Sequence, residues 1–180
     1  MPRLFTGLQL PHDIAFALSL KRGGLAGARW IDPDNYHITL RFIGDVDHLV
    51  ADEIVHALDM APSMEPFEVV ISHLGVFGGN KPRALYAGLE PNEALNRLQA
   101  GQERLLQRAG LVPEGRKFVP HVTLARLRDS GPDDVARHIA HAGRFTPLRF
   151  VVDRFVLFSS RDSVGGGPYV IEQGYELAAA

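Results

Sequence analysis

Polar and apolar positions alternate with a period of two over Tyr36–Ile43. His37, Thr39 and Arg41 fall on one face; Ile38, Leu40 and Phe42 fall on the other. Such a pattern predicts a strand with one side on a core. Similar β-rich runs predict strands at Arg3–Leu10, Phe67–Leu74, Ala84–Leu89, Phe118–Arg126, Phe150–Ser159 and Tyr169–Leu177. Pro120 must then sit at a strand start or edge, because it has no N–H for the ladder. Helical spacing predicts helices at His12–Lys21, Val46–Met60, Glu93–Ala109 and Pro132–His141. In the second of these Leu49, Ile54, Val55 and Leu58 form the apolar set. The third carries Leu95, Leu98, Leu105 and Leu106, with Gly110 as its stop. Turn chemistry marks Asp32–Asn35, and loops fall at 23–27, 62–66, 75–79, 78–82 and 165–167.

One short pattern occurs twice. His37-Ile38-Thr39-Leu40 returns as His121-Val122-Thr123-Leu124, 84 residues on, and a helix is predicted after each copy. No low-complexity linker separates the copies. The expected architecture is α+β over residues 1–180: a single unit of two pseudo-twofold-related lobes, each offering one strand to a shared cleft.

Composition narrows the partners. The 180 residues carry a net charge of −2, so a generally basic surface for long nucleic acid is not expected, although a local basic cleft is compatible with it. There is no cysteine, which excludes disulfides, zinc–thiolate sites and thiol nucleophiles. The opening residues lack the apolar run of a secretory leader, and no run is long enough for a spanning helix. A cytoplasmic monomer without membrane contact is the expectation.

The repeat carries the chemistry. In His-x-Thr-x the first and third side chains share a face, so each copy sets an imidazole beside a hydroxyl on a rigid strand. Two facing copies supply the parts that phosphodiester cleavage needs. A neutral imidazole takes a proton from the attacking water, and a protonated one gives a proton to the departing oxygen. Thr39 and Thr123 would donate to the non-bridging oxygens. A lone histidine in a strand is usually just a polar residue on the solvent face; two embedded copies carry the argument.

The chain resembles the RNA 2′,3′-cyclic phosphodiesterases, or 2′-5′ RNA ligase-like proteins, of the two-histidine phosphoesterase superfamily. The likeness runs over nearly the whole chain. It includes Arg3-Leu4-Phe5, Leu10-Pro11, Asn35 to Gly44, Pro82-Arg83 with Gly88, Phe118 to Arg126, Phe155-Val156-Leu157 and Ser159. The resemblance implies a bilobal α+β fold, no metal and no cofactor. It implies hydrolysis of RNA 2′,3′-cyclic phosphate ends to 2′-phosphates, with His37 as proton donor and His121 as proton acceptor. The residues themselves leave that assignment open, because the two copies are so alike.

Further candidates come with ordinary alternatives. Arg126 is a substrate-binding candidate, mostly on the resemblance, but strict alternation puts it opposite His121 unless a bulge re-aims it. Arg41 shares the face of His37 and would hold phosphate, or be a solvated rim charge. Phe5, Tyr36, Phe42, Phe77 and Phe118 would stack a base or pack in the core, and Trp30 would line the cleft or pack. His138 and His141 are spaced as a metal pair but have no third ligand nearby, which favours a solvated helix face. Three other functions fit the motifs: ATP-independent 2′-5′ RNA ligation, a cyclic phosphodiesterase on another small nucleotide, and RNA-end binding without turnover. No Gly-x-x-x-x-Gly-Lys loop is present for a nucleoside triphosphate.

Overall fold

A computed structural model describes residues 3–160 and 167–178. The chain forms β1 (Arg3–Gln9), α1 (His12–Ser19), β2 (Ala28–Trp30), a 3-10 turn (Pro33–Asn35), β3 (His37–Asp45), α2 (His48–Asp59), β4 (Phe67–Phe77) and β5 (Ala84–Leu89). It continues with α3 (Glu93–Arg108), β6 (His121–Leu127), α4 (Pro132–His141), β7 (Leu148–Val152), β8 (Arg154–Ser160) and β9 (Tyr169–Glu176). The helices begin where sequence chemistry allows. Asp47 accepts from the Val50 N–H and Asn92 from the Leu95 N–H, and Pro132 occupies the first turn of α4. Of the apolar set expected for the second helix, Ile54 and Leu58 are buried, whereas Leu49 is 78% exposed. Of the expected loop at 75–79, residues 75–77 instead end β4, paired with β5, and residues 165 and 166 of the expected 165–167 loop lie outside the described residues.

All the strands belong to one antiparallel sheet in the order β7-β4-β5-β6-β3-β1-β8-β9, with β2 on the C-terminal part of β6. The seam between β3 and β6 holds the register pair Ile38↔Val122. These are the second residues of the two His-x-Thr-x copies, so the pseudo-twofold axis passes between them. On one side lie β3, β1, β8 and β9; on the other lie β6, β5, β4 and β7. The order confirms the α+β fold with two related halves.

The expected strand Phe150–Ser159 is instead two strands. Asp153 separates β7, which pairs with β4 in the second half, from β8, which pairs with β1 in the first. Adjacent Cα atoms lie about 3.8 Å apart, so at Asp153 the β7 edge of the sheet must approach β8, one strand in from the opposite edge. The sheet therefore curls around a core that draws Leu4, Leu8 and Leu40 from one half and Val69, Ile71 and Leu124 from the other. Helices α2 and α3 pack on each other and reach β9 and β3.

Candidate active site

The two motif strands bend alike. Burial runs half-buried, buried, half-buried, buried, buried, exposed through His37–Phe42, and identically through His121–Arg126. Both depart from strict alternation at the same place. Between Thr6↔Arg41 and Gly7↔Thr39, β3 has an extra residue, Leu40. Between Leu85↔Ala125 and Tyr86↔Thr123, β6 has an extra residue, Leu124. These are β-bulges, and each turns the residues beyond it by one position.

The bulges decide where the arginines go. Arg126 is re-aimed to the exposed face, and its positive charge acts on both His37 and His121. Arg41, expected on the face of His37, is corrected by the same device: it is 7% exposed and points to α3. Its Nε lies 2.5 Å from Glu103 Oε2, and its remaining donors reach the carbonyl oxygens of Phe42 and Val112. The counterpart of Arg126 across the pseudo-twofold is Phe42, which is 44% exposed rather than in the core.

The imidazoles are held in the same manner. His37 Nδ1 lies 2.9 Å from the Asn35 carbonyl oxygen, and His121 Nδ1 lies 2.6 Å from the Val119 carbonyl oxygen. In each case the partner stands two residues upstream. A carbonyl oxygen only accepts, so Nδ1 carries the proton and the neutral ring keeps its lone pair on Nε2. In His37 that nitrogen lies 2.9 Å from the Thr39 hydroxyl, which donates to it.

Aromatic rings wall both histidines. Phe5, Phe158 and the edge-on Tyr169 surround His37 with centroids 4.9–5.5 Å away. Phe77 and Tyr86 flank His121 at 4.8 and 5.3 Å. Gly7 permits the first arrangement: a Cβ there would meet the Ile38 carbonyl oxygen at 2.7 Å and the Phe158 ring at 3.1 Å. Of the aromatic candidates, Phe5 and Phe77 pack on the imidazoles, Tyr36 is core, and Trp30 tilts against His138. Tyr86, Phe158 and Tyr169 are not among the sequence candidates. Their place depends on strand order, although the Tyr86 position follows once β5 is set beside β6.

This setting disfavours imidazolium. Burial lowers the pKa of His37 to about 4, with repulsion from His121 and Arg126 adding to it and the Asn35 carbonyl opposing it. Burial, then Arg126, also lowers that of His121. The arrangement presents two tautomer-fixed Nε2 atoms, a hydroxyl beside each ring in sequence, and one guanidinium: an anion seat with two proton carriers. Among the described residues no group of three or more His, Asp or Glu side chains gathers as a metal site, and His138 and His141 end α4.

Comparison with known proteins gives a consistent picture. The model of the 2′-5′ RNA ligase superfamily matches residues 29–163. An RNA 2′,3′-cyclic phosphodiesterase of Bacillus subtilis is 30% identical over 162 residues, covering 87% of each chain. One from Thermotoga maritima is 32% identical over 154 residues, covering 84% of this chain and 80% of that one. Among solved structures, a protein of Thermus thermophilus superposes with a TM-score of 0.80 at 24% identity over 97% of both chains. Escherichia coli LigT, solved with 3′-AMP, gives 0.76 at 23% identity over 99% of this chain and 100% of that one. These structural likenesses concern the fold.

Proposed function

The chain belongs to the 2′-5′ RNA ligase superfamily, and from that premise we propose that it hydrolyses RNA 2′,3′-cyclic phosphate ends to 2′-phosphates by metal-independent acid–base catalysis. His121 Nε2 takes a proton from water as the water oxygen bonds to phosphorus. The bond from phosphorus to O3′ breaks in line with that attack, and His37 delivers the proton that O3′ needs. Thr39, Thr123 and Arg126 hold the non-bridging oxygens, whose charge grows in the transition state. The observation that carries this reading is the paired Nδ1-to-carbonyl clamp, which puts the lone pair of each neutral ring on Nε2, on strands joined at Ile38↔Val122.

Phosphorus NMR of an oligonucleotide ending in a 2′,3′-cyclic phosphate tests it. The expected product is a 2′-phosphomonoester, formed equally well in EDTA. A 3′-phosphate, or loss of turnover in EDTA with recovery on adding one metal ion, would overturn the mechanism. A 2′-5′ diester would instead identify ligation as the activity.

A low-lying His37 shapes the pH profile. The pH dependence of kcat/KM reports the free enzyme, where both histidines titrate below 6.5. Its bell is expected on the acid side of neutrality, with the lower limb near pH 4. A bound phosphodiester anion favours imidazolium, so both limbs of kcat should lie at higher pH than those of kcat/KM. Limbs of kcat at the same or lower pH would show that substrate supplies no such charge. Stability follows the same group. The unfolded chain takes up this proton below about 6.5 and the folded chain only near 4, so stability falls as pH drops through that interval.

A further inference from the structure

We propose that the cavity beside His37 is the seat of the terminal nucleobase and that Asp34 makes guanine its preferred occupant. This deepens the phosphodiesterase reading and rests on it. The cavity opens between the start of α1, the 3-10 turn and strand β9. Gln9, Leu10, His12, Asp34, His37 and Ile171 are among its walls, and His121 is not.

Reaction geometry explains why the cavity should lie on that side. O3′ leaves phosphorus but stays on the ribose, so the residue that protonates it stands on the sugar's side. Water arrives from the opposite side, in line with the breaking bond. The base hangs from the same ribose. A base seat therefore belongs next to the proton donor, and the cavity borders the histidine given that role.

The chemistry of the walls selects the base. Leu10 and Ile171 offer apolar surface to a flat ring. Gln9 has its Oε1 engaged by Arg154, whose Nε lies 3.1 Å away, so its NH2 is left as the donor for a ligand. Asp34 has its own backbone N–H held by Asp32 Oδ1 at 2.9 Å, which fixes the turn, and it is exposed with an acceptor-only carboxylate. Guanine alone among the four bases presents two adjacent donors, N1–H and N2–H, that a carboxylate accepts together, beside an O6 that accepts from an amide. Adenine and cytosine offer a single amino group, and uracil flanks its imino group with two carbonyls that repel a carboxylate.

The test compares the four nucleoside 2′,3′-cyclic phosphates. Wild-type enzyme is expected to favour guanosine over uridine by about tenfold or more in kcat/KM, the worth of one or two charged hydrogen bonds. In Asp34→Ala the ratio should collapse toward one. Four substrates treated alike by the wild type, or a ratio that survives Asp34→Ala, would overturn the proposal. Calorimetric binding of 2′-GMP and 2′-UMP gives a readout without turnover. If none of the four substrates were hydrolysed, the phosphodiesterase reading would fall. A tenfold preference for 2′-GMP that disappears in Asp34→Ala would still sustain the seat, and equal binding of both nucleotides would remove it.

Discussion

His37→Ala is expected to slow hydrolysis of a nucleoside 2′,3′-cyclic phosphate by roughly 10²–10⁴-fold, the usual worth of a general acid. The same variant should lose far less on an aryl phosphodiester that releases nitrophenolate, because that group departs as a stable anion and needs no proton. His121→Ala should be slow on both, since water must be activated whichever group departs. The comparison is made on folded variants under conditions where chemistry limits the rate. Rescue of His121→Ala by the activated ester, with none for His37→Ala, would reverse the two roles. Rescue of neither would mean that the imidazoles chiefly hold the phosphate. The aromatic walls matter to the design: alanine at 37 opens a gap among Phe5, Phe158 and Tyr169, so the fold of the variant is verified by its unfolding transition.

Glu103→Ala is expected to lower stability by about 3–5 kcal/mol, the cost of stranding one member of a buried ion pair. Its carboxylate accepts from Arg41, from Gln107 Nε2 at 2.8 Å and from the Glu114 N–H at 3.0 Å. Partial burial pushes the carboxyl pKa up, but the bonds from Arg41, Gln107 and Glu114 outweigh it and hold the group at about 2. The contribution is thus complete above about 4.5 and fades as pH falls toward 2. Removing Glu103 leaves the Arg41 guanidinium in a nearly closed site with two carbonyl partners. Arg41→Met with Glu103→Leu should recover most of the loss, because neither charge is then buried alone. Denaturant unfolding measures these differences. Since Arg41 faces α3, kcat/KM of Arg41→Met with its fold intact should stay within about twofold of wild type. A large activity loss with stability untouched would return Arg41 to the cleft.

The two motif strands show what sequence can and cannot convey. Alternation places His37, Ile38, Thr39 and Leu40 correctly, and likewise His121 through Leu124, because each is a local property of a pleated strand. It fails at Arg41 and Phe42, because a bulge is set by the register with β1 and leaves no mark in the bulged strand. The same event at Leu124 rescues Arg126. Strand β2 escapes a sequence reading because three residues after a glycine run are too few to show a period. The β7–β8 break escapes it because the apolar pattern runs on past Asp153. Among the candidate site residues, His37, His121, Thr39, Thr123 and Arg126 are readable in the repeat and its resemblance. Tyr86, Phe158 and Tyr169 reach the imidazoles only through strand neighbours that lie 35 to 132 residues away along the chain, and no local pattern contains that information.

The passage of the chain through Asp153 also orders events in time. Strands β8 and β9 are synthesised after the sheet's other strands, yet they complete the half begun by β1 and β3. Phe158 and Tyr169, two of the three rings around His37, arrive with them. The second half, from β4 to β7, has all its strands earlier and is free to assemble while the ribosome still holds the rest. The His37 half is finished only once β8 and β9 have left the exit tunnel, so a chain truncated before β8 would carry both histidines and still lack the enclosure that keeps one of them neutral.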